Sequence, residues 1–278
     1  MSRLFHRMLR DRTTVAGLIL LVLIALMAIA GPLLAIAPAQ VRIDQRLMPP
    51  SSVAWFGTDR LGGDILTNIV LGAGITLTIS ATTVAIGVVI GVPIGLVTGY
   101  YRNWASDALM RIADIALAVP QIVLAIAITQ TLGPSTKSIV LALSFTYWPF
   151  WTRLVYAETR SIRNEIFVES AIALGVPAWR VMALHILPAI ASSIVVRTSI
   201  GIGGTILAAA TLGFLGLGTP PPTPEWGRMI AESREYLPEA WWYALAPGLA
   251  IFLTVLGAYL FGDGLRDILD PHTQQPLG

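Results

Sequence analysis

Residues 164–188 read NEIFVESAIALGVPAWRVMALHILP and lie between two apolar runs, Ser138–Tyr156 and Leu187–Leu217. The stretch opens as a helix, with Asn164 in a position to cap it and Glu165 in its first turn, where oxygen acceptors and negative charge meet the unpaired N–H groups. Gly175 is placed to end that helix in the left-handed conformation. Pro177 follows at a position that can start another helix. The spacing predicts a second short helix over 176–187 that stops at Pro188, giving a helix-turn-helix. Its surface mixes Ile166, Phe167, Ile172, Trp179 and Met182 with Glu169 and Arg180. Such apolar groups suit a partner protein or a segment lying on lipid, and physics alone supports the two equally.

The surrounding sequence says what the flanking runs are. Hydrophobic residues make up 55% of the chain and charged residues only 12%, with a mean hydropathy of +0.73. A soluble domain carries about 25% charged residues, so this chain cannot cover a water-facing surface of its size. The remaining solvent is lipid, whose core of roughly 30 Å is crossed by about 20 apolar helical residues. Six runs reach that length: Val15–Ala37, Gly72–Thr98, Ala108–Thr131, Ser138–Tyr156, Leu187–Leu217 and Tyr243–Phe261. Gly87, Gly91, Pro93, Pro120 and Pro149 interrupt them, which membrane helices tolerate because neighbours re-satisfy the freed backbone groups. Gly87, Gly91 and Gly95 recur as a small-xxx-small face suited to close helix packing.

The expected organisation is a terminal segment 1–14, a first transmembrane helix 15–37, a loop 38–71 and a five-helix core 72–266. That core holds the loops 158–186 and 218–242, and a tail 267–278 follows. The apolar run near the start is about 23 residues, longer than the 7–15 of a signal peptide, and reads as a retained helix. Arginine sets the orientation. Arg3, Arg7, Arg10, Arg12, Arg102, Arg111, Arg153, Arg160, Arg163, Arg180 and Arg266 fall on one side, which is expected to be cytoplasmic together with both termini. Arg42, Arg46, Arg60, Lys137, Arg228 and Arg234 fall on the other, diluted by acids. The chain has no cysteine, which excludes disulfides, cysteine-zinc sites and thiol catalysis. The net charge of +2 gives no argument for nucleic acid. His6, His185 and His272 are too scattered for a metal site by local spacing.

Glu169-Ser170-Ala171, then Gly175, then His185-Ile186-Leu187-Pro188, resembles the EAA loop of bacterial ABC importer permeases, with Ser170 where the family usually has Ala. Phe56-Gly57-Thr58-Asp59 with Gly62-Gly63-Asp64 is similar to a segment after the first helix of the dipeptide/oligopeptide/nickel permeases, which commonly have Arg at the place of Gly63. Phe214–Gly218, Pro222–Gly227, Gly262–Asp267 and Leu269-Asp270-Pro271 look like further parts of the same family and favour its C-type member. The resemblance implies a type I importer permease fold with a cytoplasmic coupling loop, in a bacterial inner membrane. It implies a second, B-type permease chain, two ATPase subunits and an extracytoplasmic substrate-binding protein as partners. ATP and Mg would be bound by the ATPases, with no cofactor on this chain. Glu169, Ser170, Ala171, Gly175, His185 and Pro188 would form the ATPase-coupling site. The expected cargo is a di- or oligopeptide, with nickel or another small solute as the alternative.

The chain is not expected to hydrolyse ATP. A phosphate-binding loop ends in Gly-Lys-Ser/Thr, and the only lysine, Lys137, follows Thr136. Arg197 lies within the fifth run, where a charge costs roughly 2.5–3.5 kcal/mol on insertion scales. It reads either as a pathway group for an anionic or carboxylate-bearing substrate, or as a side chain that snorkels or pairs with Asp114. Glu225, Trp226, Glu232 and Glu235 lie in the loop 218–242, which reads as a solvated face or as a docking surface for the binding protein. Two other classes remain open. An intramembrane enzyme would need a convergent catalytic set that the runs lack. A non-transporting membrane scaffold would be indifferent to Glu169 and Gly175.

Overall fold

The computed structural model describes residue 8, residues 11–33 and residues 41–269. The expectations for Arg3, Arg7, Arg10, His6, residues 34–40, Asp270, Pro271, His272 and the rest of the tail lie outside them. Among the described residues the chain is helical, with one isolated antiparallel bridge between Thr58 and Asp64 and no sheet.

The first helix, α1, spans Arg12–Leu33. The second, α2, spans Ile65–Tyr100. Asp64 caps α2 by accepting the Thr67 amide at 2.8 Å, the standard remedy for the free N–H groups of a first turn. Asp59 holds the preceding turn, accepting the Leu61 and Gly63 amides at 2.8 Å each and the Asn68 side chain at 2.9 Å. The segment Phe56–Asp64 is therefore a folded launch for α2.

Helices α3 (Trp104–Ala118) and α4 (Gln121–Leu132) meet at 87°. The expected continuous run Ala108–Thr131 is thus broken at Pro120. Proline disfavours the helical region for the residue before it, and Val119 is extended, with φ −86° and ψ 129°. Helix α5 spans Thr136–Ile162. It lies along α2, where the glycine face predicted from the sequence does its packing. A β-carbon at Gly91 would collide with the Cβ of Trp151, and one at Gly95 would sit 2.6 Å from the Thr152 carbonyl oxygen.

The short α6 (Ile166–Ala173) leads into α7, a 40-residue helical run over Ala178–Leu217 that kinks in its last turn at Gly216, where φ is +80°. The expected stop at Pro188 does not occur. Proline inside a helix removes a donor and clashes with the carbonyl four residues back. Here the turn Met182–Ile186 widens to a π-helix, with the Leu187 amide bonded to the Met182 carbonyl, and the helix passes through. Helix α8 (Trp226–Ser233) and helix α9 (Trp241–Leu269) complete the order.

Helices α1, α2, α7 and α9 are each long and apolar enough to cross a membrane, and the bent pair α3–α4 would be a fifth span. Helix α5 has the length, 27 residues, but its apolar stretch carries Trp148, Trp151 and Arg153 and ends among Glu158 and Arg160. Six spans are therefore met by length, and by apolar character only outside α5. At 1.5 Å per residue α7 is about 60 Å long, twice the roughly 30 Å of hydrocarbon. Its ends must stand beyond the lipid. The α6 turn hangs from one end and α8 from the other.

Candidate functional site

The α6–α7 corner is built on a small core of its own. Val168, Ala171, Val181 and Ile186 pack with Tyr100 at the end of α2, so the corner is fixed to two long helices. Gly175 turns the chain with φ +78°. The Val176 amide reaches back to the Ala171 carbonyl at 3.1 Å and the Gly175 amide to Ile172 at 3.0 Å, the paired bonds of a glycine-ended helix. The cap at the start differs from expectation. Glu165 takes the N-cap position of α6 without a side-chain cap bond. Asn164 instead accepts a bond from Arg102 at 2.9 Å, which ties the corner to the end of α2.

The outward face of this corner carries large apolar groups. Ile166 is 81% exposed, Leu174 84% and Trp179 61%. Glu169 and Ser170 stand exposed beside them while Ala171 faces the core. The Ser170 hydroxyl bonds the Ile166 carbonyl at 2.7 Å and so is satisfied within the helix. His185 is half-buried with Nδ1 3.5 Å from the Arg180 carbonyl. Pro188 is exposed on α7 just beyond the widened turn. The structure thus brings together Glu169, Ser170, Ala171, Gly175 and His185 at one end, with Pro188 at the root of the corner.

The residues of the loop 218–242 behave differently. Trp226 is fully buried and donates its indole N–H to the Ile69 carbonyl at 3.0 Å. Glu225 is 3% exposed and caps α8 by accepting the Gly227 amide at 3.1 Å. Neither presents a surface to a docking protein, which corrects the expectation for both. Burial pushes the Glu225 carboxyl up to about 7. Glu232 accepts Arg60 through both oxygens at 3.2 Å, Arg228 at 3.0 Å and Tyr243 at 3.0 Å. Burial alone would raise its pKa, but the bonds from Arg60 and Arg228 hold it below the usual carboxylate value. Glu232 therefore ties the loop before α2 to α8. Of the four residues only Glu235 is exposed without such ties. The sequence also concealed α8 itself, although Trp226, Met229, Ile230 and Ser233 fall at helical spacing.

Arg197 faces a cavity of about 430 Å³ between α5, α7 and α9, lined also by Glu158, Ser192, Ser193 and Arg266. Its guanidinium lies over the Phe150 ring at 4.5 Å, and its Nε is buried without a hydrogen-bond partner. The alternative pairing with Asp114 is not made, because Asp114 is bound by Arg153 at 3.4 Å. Glu158 was missed as a site residue. Its signal was a carboxylate at the end of a transmembrane run, and its Oε2 is likewise buried without a partner.

Comparison with known proteins places this geometry. The model described as binding-protein-dependent transport system inner membrane component matches residues 91–275. A model of the N-terminal transmembrane domain of oligopeptide transport permease C matches residues 1–50. The chain is 42% identical to a dipeptide transport system permease protein of Alkalihalophilus pseudofirmus, covering 96% of this chain and 88% of that one. It is 40% identical to a probable D,D-dipeptide transport system permease protein of Escherichia coli K12, over 93% and 87%. It is 43% identical to a glutathione transport system permease protein of Pectobacterium atrosepticum, over 96% and 89%. A chain of the inward-facing MetNI methionine ABC transporter shares the fold, with a TM-score of 0.59 and 19% identity over 73% of this chain and 97% of that one.

Proposed function

The chain belongs to the family of binding-protein-dependent transport system inner membrane components, and from that membership we propose that it is the C-type permease subunit of an ATP-driven importer of di- or oligopeptides. The observation that carries the reading is the exposed corner. It packs onto the end of α2 and the start of α7 and displays Ile166, Leu174 and Trp179 around Glu169. Burying side chains of this size contributes roughly 1.5–3 kcal/mol each, which a docking ATPase would supply. Glu169 would accept a charge-assisted hydrogen bond there. Gly175 would hold the turn, and Ser170, Ala171, His185 and Pro188 would shape the corner and its root. The corner faces the cytoplasm in this reading, as the clustering of Arg102, Arg160, Arg163 and Arg180 at that end supports. Closure of the ATPases would then move α2 and α7 as near-rigid bodies and bias an alternating bundle. A B-type permease would complete the pathway. A binding protein would meet the opposite end, where Glu235 is exposed.

The test is purification of the tagged chain in mild detergent, with dipeptide uptake measured in parallel. The expected result is recovery of an ATPase and a second membrane chain, and loss of both the ATPase and uptake in Leu174→Glu and Glu169→Lys. Association and uptake unchanged in both variants would contradict it.

A further inference from the structure

The cavity around Arg197 carries a charge pattern that neither fold nor packing requires. Ser193 and Arg197 are four residues apart on α7 and so share a face. Glu158 comes from α5 and Arg266 from α9, so three helices converge on one space. A volume of about 430 Å³ falls within the roughly 300–1,000 Å³ of small-molecule sites. Buried polar atoms are ordinarily hydrogen-bonded. Here a guanidinium nitrogen of Arg197 and a carboxylate oxygen of Glu158, opposite in charge, are both buried without hydrogen-bond partners. The Phe150 ring behind Arg197 holds the guanidinium plane in place. Arg197 and Glu158 line one pocket with opposite charges, and the Ser193 hydroxyl bonds the Glu158 carboxylate, a pattern that fits a ligand carrying both charges.

We propose that this cavity is a substrate site on the pathway that takes a zwitterionic peptide by its termini. Arg197, with Arg266, receives the carboxylate, and Glu158 receives the ammonium. Ser192 offers its hydroxyl to the peptide group between them, and Ser193 orients Glu158. The inference rests on the peptide-import reading and adds a recognition step within the membrane, separate from the selection made by a binding protein.

The test is saturation-transfer NMR of dialanine on the complete permease–ATPase complex in nanodiscs, without nucleotide or binding protein, against empty nanodiscs. N-acetyl-dialanine and dialanine amide are run beside it, and uptake by the reconstituted importer is measured with the binding protein present. The expected result is saturable dialanine binding, in the millimolar range that a few charge-assisted bonds give, weakened about fivefold or more by either cap. Glu158→Gln should erase the effect of the N-acetyl cap alone, and Arg197→Gln the effect of the amide alone. Arg197→Lys should retain part of the amide effect. An importer that takes up dialanine but shows no binding in this assay, or the same cap effects in both Gln variants, would overturn the site and leave the import reading standing. Absence of dialanine uptake by the wild-type importer would overturn the import reading and the site with it.

Discussion

At the scale of single residues, two positions decide how the molecule behaves at its two ends. Gly175 has φ +78° and nothing within 4 Å of where a β-carbon would lie. A substitution there meets backbone strain of about 1–2 kcal/mol and no crowding. Gly175→Val is therefore expected to lower ATPase stimulation by loaded binding protein more than Gly175→Asn, because Asn tolerates the left-handed region. Glu225 works at the opposite end. Burial raises its pKa from 4.5 to about 7, so the folded chain holds a proton that the unfolded chain releases. The destabilisation is absent below about pH 4.5, grows as pH rises, and is complete above about pH 7. Glu225→Gln should gain thermal stability relative to wild type between pH 5 and pH 8 in a melting series, and gain nothing further above that. Gly175 was legible in the sequence because a left-handed helix end has a chemical signature. The burial of Glu225 and Trp226 was not, because an acid and a tryptophan in a proline-rich loop look the same whether they face water or fill a niche beneath α8.

At the scale of elements, proline was the least readable residue. The chain passes through Pro93, Pro149 and Pro247 within helices, yet breaks by 87° at Pro120. Each removes the same donor, so the difference lies in what neighbours supply. Pro93 and Pro149 lie in α2 and α5, which pack against each other, with the Thr152 hydroxyl 3.3 Å from the Gly91 carbonyl across their contact. A single sequence does not reveal that packing. The glycine face of α2 was legible, since its spacing is a property of one helix, but its partner was not. Gly91→Ala is expected to destabilise the bundle by about 1–3 kcal/mol through overpacking against Trp151. Gly248→Ala, with open space around it, should be neutral or stabilising by up to about 1 kcal/mol. Thermal melts of the purified chain separate the two. The Arg60–Glu232–Arg228 group joins the loop before α2 to α8. Glu232→Ala should cost about 1 kcal/mol, a modest figure because these side chains remain partly exposed to screening solvent, and should loosen α8 in hydrogen exchange.

At the scale of the whole molecule, length explains the architecture. Helices α2 and α7, of 36 and 40 residues, overshoot the bilayer core, and the overshoot displays a corner that has its own small core and an apolar outer face. The composition made the membrane class plain, and the spacing from Glu169 to Pro188 made the corner plain. The corner's attachment was not legible, because the Arg102–Asn164 bond and the packing of Tyr100 with Val168 and Ile186 join distant parts of the chain. The absence of native cysteine makes the central claim open to one clean measurement. Ser170→Cys places a single thiol beside Glu169, and a short thiol-reactive crosslinker is applied to the assembled complex. The corner predicts a covalent adduct with the ATPase and no labelling by a membrane-impermeant reagent added outside intact cells. External labelling of that thiol, with no ATPase adduct, would contradict it.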